Sequence, residues 1–445
     1  MIDLEEIGLL IDRRGNLEEI NYNAFCRYLL GKEPLVFSPN INKFYHYNSG
    51  VYISLDHTTI SALIRAEINA LLPDCWKPVF ERNFLQTLRL EAKHVKEFNK
   101  NTTKLNLQNG IFDLKIFELK PHSTDFFSTI QLPIVYDKEA KCPRFKKFLM
   151  EIFAGDKERI HLIKQIFGYC LTSSTKCQKA FLLKGSGANG KSVLLNVLTE
   201  LVGTENIANL PLSALKDSFR IASLVDKNVN IVAEGGFKTN TFSTEIFKAI
   251  VAGDLCFGEI KHGPTFSFKP KCKIIISVNK LPHISDTSYG MERRLIIIPF
   301  DRIFRAEEQN KSLSKILLKE LPGILNFALD GLRELRQNKY NFVSPKACQK
   351  AEKEFFQYNN PIKEFVETQL YEEPDNKLTY KRLAETYLQW LSLEGMPVPS
   401  NFNRRHFSSE IKLALDSLDI PYQIGGKSGD SRRIDGIAIR KQKSM

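Results

Sequence analysis

The stretch Ala180-Phe-Leu-Leu-Lys-Gly185-Ser-Gly-Ala-Asn-Gly190-Lys191-Ser192, running on into Val193-Leu-Leu-Asn-Val-Leu198, decides how the rest of the chain is read. Ala180-Phe-Leu-Leu has the short apolar form of a buried parallel strand, and the residues after Ser192 have the spacing of a helix. Between them, Gly185, Ser186, Gly187, Ala188, Asn189, Gly190, Lys191 and Ser192 fit the phosphate-binding loop pattern in its required strand and helix context. The glycines let backbone N–H groups turn inward around phosphate oxygens, and the helix points its positive end at the same place. Lys191 is positioned to reach the β and γ phosphates, and the Ser192 hydroxyl is suited to Mg²⁺.

The chemistry depends on what else faces the γ-phosphate. Val229-Asn-Ile-Val-Ala-Glu234 reads as a second buried strand ending in an acid, so Glu234 is the candidate general base and second metal contact. A third strand, Lys273-Ile-Ile-Ile-Ser-Val, ends at Asn279, whose amide could sense the γ-phosphate or polarise the attacking water. Met291-Glu-Arg293-Arg294 precedes the strand Leu295-Ile-Ile-Ile-Pro-Phe, and an arginine there could neutralise transition-state charge in its own subunit or in a neighbour's site. Guanine specificity is opposed by Asn279-Lys280-Leu281-Pro282, which has proline where the guanine-reading motif needs an acid.

Outward from this core the chain divides by pattern. Helical periodicity and aromatic alternation in 1–105 give an N-terminal α+β region, and 106–178 reads as a strand-turn segment with a helical lead-in. Short strands alternate with helices over 179–302, the pattern of an α/β nucleotide-binding core. Amphipathic helix returns over 303–358. The last segment, 359–445, reads as three helices followed by a hairpin. The chain's 445 residues exclude a single small module. With 63 basic and 51 acidic side chains the formal charge is +12, which suggests a polyanionic partner. No apolar run is long enough to span a bilayer, so no membrane is expected. The acidic start lacks the order of an export signal, which predicts a protein that stays inside the cell. Eight scattered cysteines without a Cys-x-x-Cys pair argue against a disulfide framework or zinc ribbon.

Between the acid and Asn279 lies Ala252-Gly-Asp-Leu-Cys-Phe-Gly-Glu-Ile-Lys261-His262-Gly-Pro-Thr-Phe-Ser-Phe-Lys269-Pro. With this segment in place, the ordered motifs from Asn109-Gly-Ile-Phe-Asp-Leu and Gln131-Leu-Pro-Ile-Val-Tyr to the double arginine resemble the superfamily III AAA+ helicases. Within these they resemble the helicase part of phage, plasmid and poxvirus primase-helicases. The resemblance implies a P-loop AAA+ type α/β core, ATP and Mg²⁺ as cofactors, and a homo-oligomer, a hexameric ring moving 3′ to 5′ on single-stranded or forked DNA. It implies replication of a phage, plasmid or other mobile element in the cytoplasm of a bacterial host. It makes Lys261, His262 and Lys269 contacts of a channel hairpin to DNA, and one of Arg293 and Arg294 a finger reaching a neighbour's site, with Arg294 slightly favoured. It also implies a winged-helix-like domain at the C-terminal end, in which Arg404, Arg405, Lys427, Arg432 and Arg433 would meet DNA. The chain departs from many relatives in having Ala233 and Gly235 around a single acid, which leaves the metal with fewer carboxylates. The first hundred residues show neither a zinc cluster nor a paired-carboxylate strand, so a separate primase or polymerase is the expected partner for priming. The alternative reading is an ATP-switched origin-binding or initiator-assembly protein without processive unwinding.

Overall fold

Strands whose side chains are apolar on both faces need cover on both faces, and the runs that bracket the glycine-rich loop sit in such a place. The computed structural model describes residues 3–232, 243–259, 265–279, 281–282, 284, 286–396, 402–429 and 431–440. Among the described residues the core sheet has five strands: β1 (Ala180–Lys184), β2 (Ile207–Ala208), β3 (Val229–Val232), β4 (Lys273–Val278) and β5 (Leu295–Pro299). Their order is β2-β3-β4-β1-β5, and every pairing is parallel. From β1 the chain runs through helix α1 (Lys191–Val202) to the far edge, returns strand by strand to β4, and then crosses to the other side of β1 to form β5. Such a reversal beside one strand opens a crevice at the carboxyl ends of an open α/β sheet.

Register sets the levels within the sheet. Phe181 lies opposite Ile275 and Ile296, and Lys184 opposite Val278 and Pro299, so β4, β1 and β5 end together. Helices Pro143–Ile152, Lys157–Cys170 and Leu321–Gln337 share one core with α1 and the strands, in which Phe145, Phe167, Phe181, Leu198 and Leu325 are buried. Two glycines allow Lys157–Cys170 and Leu321–Gln337 to cross closely. A Cβ at Gly168 would strike the backbone of Ala328 and Leu332, and one at Gly331 would strike the Lys164 carbonyl.

Lys273 carries its charge into this core. The Lys273 ammonium donates to the carbonyls of Thr172 and of Lys271 (3.2 Å) and stands 5.0 Å from the Tyr169 ring centre. Burial pushes its pKa down to about 8.

The N-terminal residues 1–105 belong to the same compact unit, which comprises 1–282 and 293–349. Strands Leu35–Ser38, Lys43–Asn48, Val51–Leu55 and Lys93–His94 form a sheet packed with helices Tyr22–Lys32, His57–Leu71 and Val79–Glu91 around Phe25, Phe44, Ile64 and Phe84. A three-stranded meander follows at Lys104–Leu107, Gly110–Asp113 and Glu118–Lys120.

The second unit comprises 283–292 and 350–445. Helices Pro361–Gln369, Tyr380–Leu393 and Arg404–Ser417 enclose Phe365, Tyr387, Trp390 and Phe407. The hairpin Gln423–Ser428 and Ser431–Ile439 is present, and a strand that the sequence reading lacks, Leu370–Thr379, pairs antiparallel with its second arm. That strand escapes pattern reading because its middle is Glu372-Glu-Pro-Asp-Asn376. The polar, proline-bearing stretch is tolerated at a sheet edge, where the register shifts between Glu372 and Lys377. Among the described residues no helix is long and apolar enough to cross a membrane.

The helix crossing gives a stability prediction. Gly331→Ala should destabilise the first unit by about 1–3 kcal/mol in urea unfolding. Gly426→Ala, where the new methyl meets no atom within 4 Å, should stay within about 0.5 kcal/mol of the parent.

Candidate active site

The loop 185–190 leaves β1 at the level where β4 and β5 also end. Its entry is fixed by two backbone bonds, Gly185 N–H to Val278 O (3.1 Å) and Phe300 N–H to Lys184 O (2.7 Å). Gly187, Ala188 and Gly190 all have positive φ, at 105°, 45° and 86°. This run of left-handed residues turns the chain back on itself at the head of α1, the form of an anion-binding nest. Each glycine is needed for its own reason. A Cβ at Gly185 would strike Asn189 Nδ2 and Phe300 O, one at Gly190 would lie 2.6 Å from Ile152 Cγ2, and at Gly187 nothing stands within 4 Å, so there only the backbone angle matters.

Lys191, first residue of α1, is buried, and its ammonium donates to Gly185 O and to Asn279 Oδ1 (3.4 Å). Positive charge is thereby held inside the loop and tied to the strand next to β1. Asn189 is 2% exposed. Its Oδ1 accepts from the Lys191 N–H (3.4 Å), while its Nδ2 is a buried donor without a hydrogen-bond partner among the described residues. An unsatisfied buried donor beside a buried ammonium is a site that favours an anion. Ser192 is exposed and faces a cleft of about 310 Å³ that the loop shares with Asn279.

The other wall of this cleft comes from two segments that sequence reading treated only as helical lead-in and amphipathic helix. Arg144, Phe148 and Glu151 come from helix Pro143–Ile152, and Phe304, Glu308 and Leu313 from the chain after β5. The bond Phe304 N–H to Ala188 O (2.8 Å) ties the second segment to the loop. Carboxylates at the cleft are already paired: Glu151 with Arg144 (3.3 Å) and Glu308 with Arg302 (3.0 Å). The only sequence signal for this wall is the apolar helical spacing of 145–152, which says core and not cleft.

Other candidates fall in different places. Glu234 lies outside the described residues, two positions beyond Val232, where β3 ends on the loop side of the sheet. Arg293 and Arg294 are at the opposite end of the sheet, because Arg294 O accepts from Ala180 N–H (2.7 Å) at the start of β1. Five residues at roughly 3.3 Å each put about 16 Å of strand between them and their own loop, more than an arginine side chain spans. Arg293 is exposed and donates to Gln178 (3.1 Å), and Arg294 is half-buried.

Lys261 and His262 also lie outside the described residues. The arms that lead to them, Cys256–Glu259 and Thr265–Phe268, form an antiparallel hairpin, with Lys269 exposed at its foot. In the second unit Arg404 and Arg405 are exposed in the first turn of a helix whose backbone is capped by Asn403. Lys427 and Arg432 face each other across the hairpin and are exposed, whereas Arg433 is held by Asp435 (3.2 Å).

Residues 23–154 match the family described as D5 N terminal like, and 183–294 match a family of unknown function, DUF5906. Two curated viral proteins are similar over about half of the chain. One, named "Putative helicase L207/L206", from Acanthamoeba polyphaga mimivirus, is 25% identical over 259 residues, 56% of this chain. The other, "Putative helicase 121R" from Invertebrate iridescent virus 3, is 24% identical over 226 residues, 47% of this chain. The matched regions are 26% and 24% of those proteins, so the chain spans about a quarter of the length of these relatives. In fold, it is similar to apo structures of the C-terminal region of NrS-1, with TM-scores of 0.55 and 0.54 at 14% and 13% identity, over 93% and 95% of this chain and 98% and 100% of theirs.

The separate reasons for the glycines can be told apart with inorganic tripolyphosphate as probe. Gly190→Ala, which meets both a left-handed φ and Ile152, should lower the melting temperature and reduce tripolyphosphate affinity at least tenfold by calorimetry. Gly187→Ala, strained only in its backbone, should cost about 1 kcal/mol and leave the melting temperature close to the parent's.

Proposed function

We propose that this chain is the ATP-driven motor part of a primase-helicase-type replication protein, a P-loop AAA+ helicase of superfamily III working as a ring on single-stranded DNA. The observation that carries the reading is the buried Lys191 ammonium inside a left-handed loop at the end of β1, bonded to Asn279 of the adjacent strand. The names of the viral relatives and the D5 N terminal like match support the same reading. ATP would lie with its phosphates in the loop 185–192 and its remainder in the cleft toward Phe148 and Phe304.

Mg²⁺ fits this site as a cation carried mostly by phosphate. Such an ion keeps waters and takes one or two protein oxygens, and Ser192 at the cleft offers one. Glu234 would supply the base and a water-bridged contact. The metal neutralises charge on the phosphates when bound. Lys191 holds the γ-phosphate side of the site, and Asn279 orients the attacking water or senses the phosphate.

The distance of Arg293 and Arg294 from their own loop supports a finger acting on a neighbouring subunit, and therefore a ring, with a hexamer as the stoichiometry the resemblance implies. DNA would pass the hairpin carrying Lys261, His262 and Lys269. The helix, strand, two helices and hairpin of the second unit support a winged-helix reading, in which the exposed Arg404, Arg405, Lys427 and Arg432 would meet a phosphate backbone. Arg433, already paired with Asp435, is the weakest of these contacts.

Two sets of variants test the reading. Lys191→Ala should lose ATP hydrolysis together with much of ATP affinity, whereas Glu234→Gln should bind ATP and fail to hydrolyse it. Hydrolysis by Glu234→Gln near the parent rate removes Glu234 as base.

Arg294→Ala and Lys191→Ala should each be inactive alone and should regain ATPase on mixing, because one intact loop and one intact arginine meet at a mixed interface. The same mixing with Arg293→Ala identifies the finger. Absence of rescue for both arginines, in assemblies shown to exchange subunits, assigns them a role within their own chain.

A further inference from the structure

The hairpin next to the core carries more than its tip. Residues alternate in exposure along both arms: Cys256, Gly258 and Phe266 face inward, while Phe257, Thr265 and Ser267 face solvent. Phe257 is 66% exposed and pairs across the hairpin with Ser267, and Leu255, 55% exposed, precedes it by two residues on the same face. An aromatic ring this open in a stable strand is not there for the core.

At the foot of that face is a cleft of about 260 Å³, separate from the nucleotide cleft. Leu255 and Lys269 form one side of it, and Asn40, Lys96 and Lys227 belong to its other walls. The walls are held together by Lys271, whose ammonium donates to the carbonyls of Phe98 (2.8 Å) and Asn99 (2.9 Å) and pairs with Glu97 (3.1 Å). Two carboxylates line the cleft, and both have partners. Glu97 is taken by Lys271, and Asp226 accepts from the Tyr45 hydroxyl (3.1 Å). Lys227 donates to Glu205 O, and Glu259 lies at the far end of the arm. Lys96 and Lys269 are exposed and have no carboxylate partner among the described residues.

We infer that the outer face of this hairpin and the cleft at its foot form a binding track for single-stranded nucleic acid, in which Phe257 stacks on a base and Lys96 and Lys269 hold backbone phosphates. The inference rests on the DNA-motor reading above and adds a contact surface on the arms of the hairpin, apart from its tip. An open aromatic beside unneutralised lysines is the combination that sequence-tolerant single-strand sites use. Lysine is depleted from protein–protein contact surfaces, so a partner protein fits the cleft less well.

The test is binding of a labelled oligo-dT to the full chain, by fluorescence anisotropy across a salt series. Phe257→Ala should weaken binding about tenfold or more, and Phe257→Trp should restore it. Lys96→Ala with Lys269→Ala should reduce the slope of log affinity against log salt by about 1.4, the value for two single-strand phosphates. All three side chains are exposed, so the variants should melt with the parent. As a check that needs no variant, an iodouracil-substituted strand should photocross-link to the peptide containing Phe257. If the parent binds oligo-dT and these variants bind it equally well at every salt concentration, the track is wrong while the motor reading stands. If the parent fails to bind single strands at all, both readings fall. Loss of self-association in Phe257→Ala with unchanged oligo-dT affinity overturns the inference and assigns the face to contact between copies of the chain.

Discussion

Everything in the first unit depends on the parallel pairing of β1 with β4 on one side and β5 on the other. Because Lys184 is level with both Val278 and Pro299, the glycine-rich loop starts where β4 delivers Asn279 and where β5 turns toward Phe304. One slip of register would move Asn279 away from Lys191 and would turn alternate apolar side chains out of the core. The same pairing sends Arg293 and Arg294 to the other end of the sheet. A single geometric constraint thus brings Asn279 to the loop and sets the two arginines apart from it.

The loop is an example of local strain held by a well-packed surrounding. Ala188 takes a left-handed φ of 45°, which costs an ordinary residue about 1–2 kcal/mol. The bond from Phe304 N–H to its carbonyl holds it there, and Gly190 fits against Ile152 only because it lacks a side chain. Lys191 and the Asn189 amide are buried side by side, and Asn189 Nδ2 has no hydrogen-bond partner among the described residues. A polyphosphate oxygen would satisfy that donor, which is the physical basis for reading the site as made for an anion. The helix Pro143–Ile152 and the segment around Phe304 are therefore parts of the site, although neither touches the motif in sequence.

What could be read from the sequence follows from how local each signal is. The loop 185–192 was legible because all its residues are contiguous and their chemistry is bound to their spacing. The apolar strands β1, β3, β4 and β5 were legible as runs, and so were the helices at 380–393 and 404–417, with ends within a few residues, whereas the helical lead-in is two helices, Pro143–Ile152 and Lys157–Cys170. The cleft wall of Arg144, Phe148 and Phe304 was not, since it is assembled from segments about 160 residues apart. The strand Leu370–Thr379 was hidden by Pro374 and three acids in an exposed edge. Lys273 reads as a strand residue like any other, and only the structure shows its ammonium buried under Tyr169 with the Thr172 and Lys271 carbonyls beside it. Phe257 looks in the sequence like one more core aromatic, and its exposure depends on a hairpin register that no local pattern specifies.

The central claim is that the loop, Asn279 and a DNA-contacting hairpin belong to one coupled machine. Steady-state ATP turnover by the full chain, measured with and without single-stranded DNA at low and at moderate salt, tests it most directly. The account predicts Mg²⁺-dependent hydrolysis that single strands stimulate, with the stimulation falling as salt rises because the contacts are to phosphate. Hydrolysis at one unvarying rate, with DNA shown to be bound, would contradict it and leave a nucleotide switch in place of a motor.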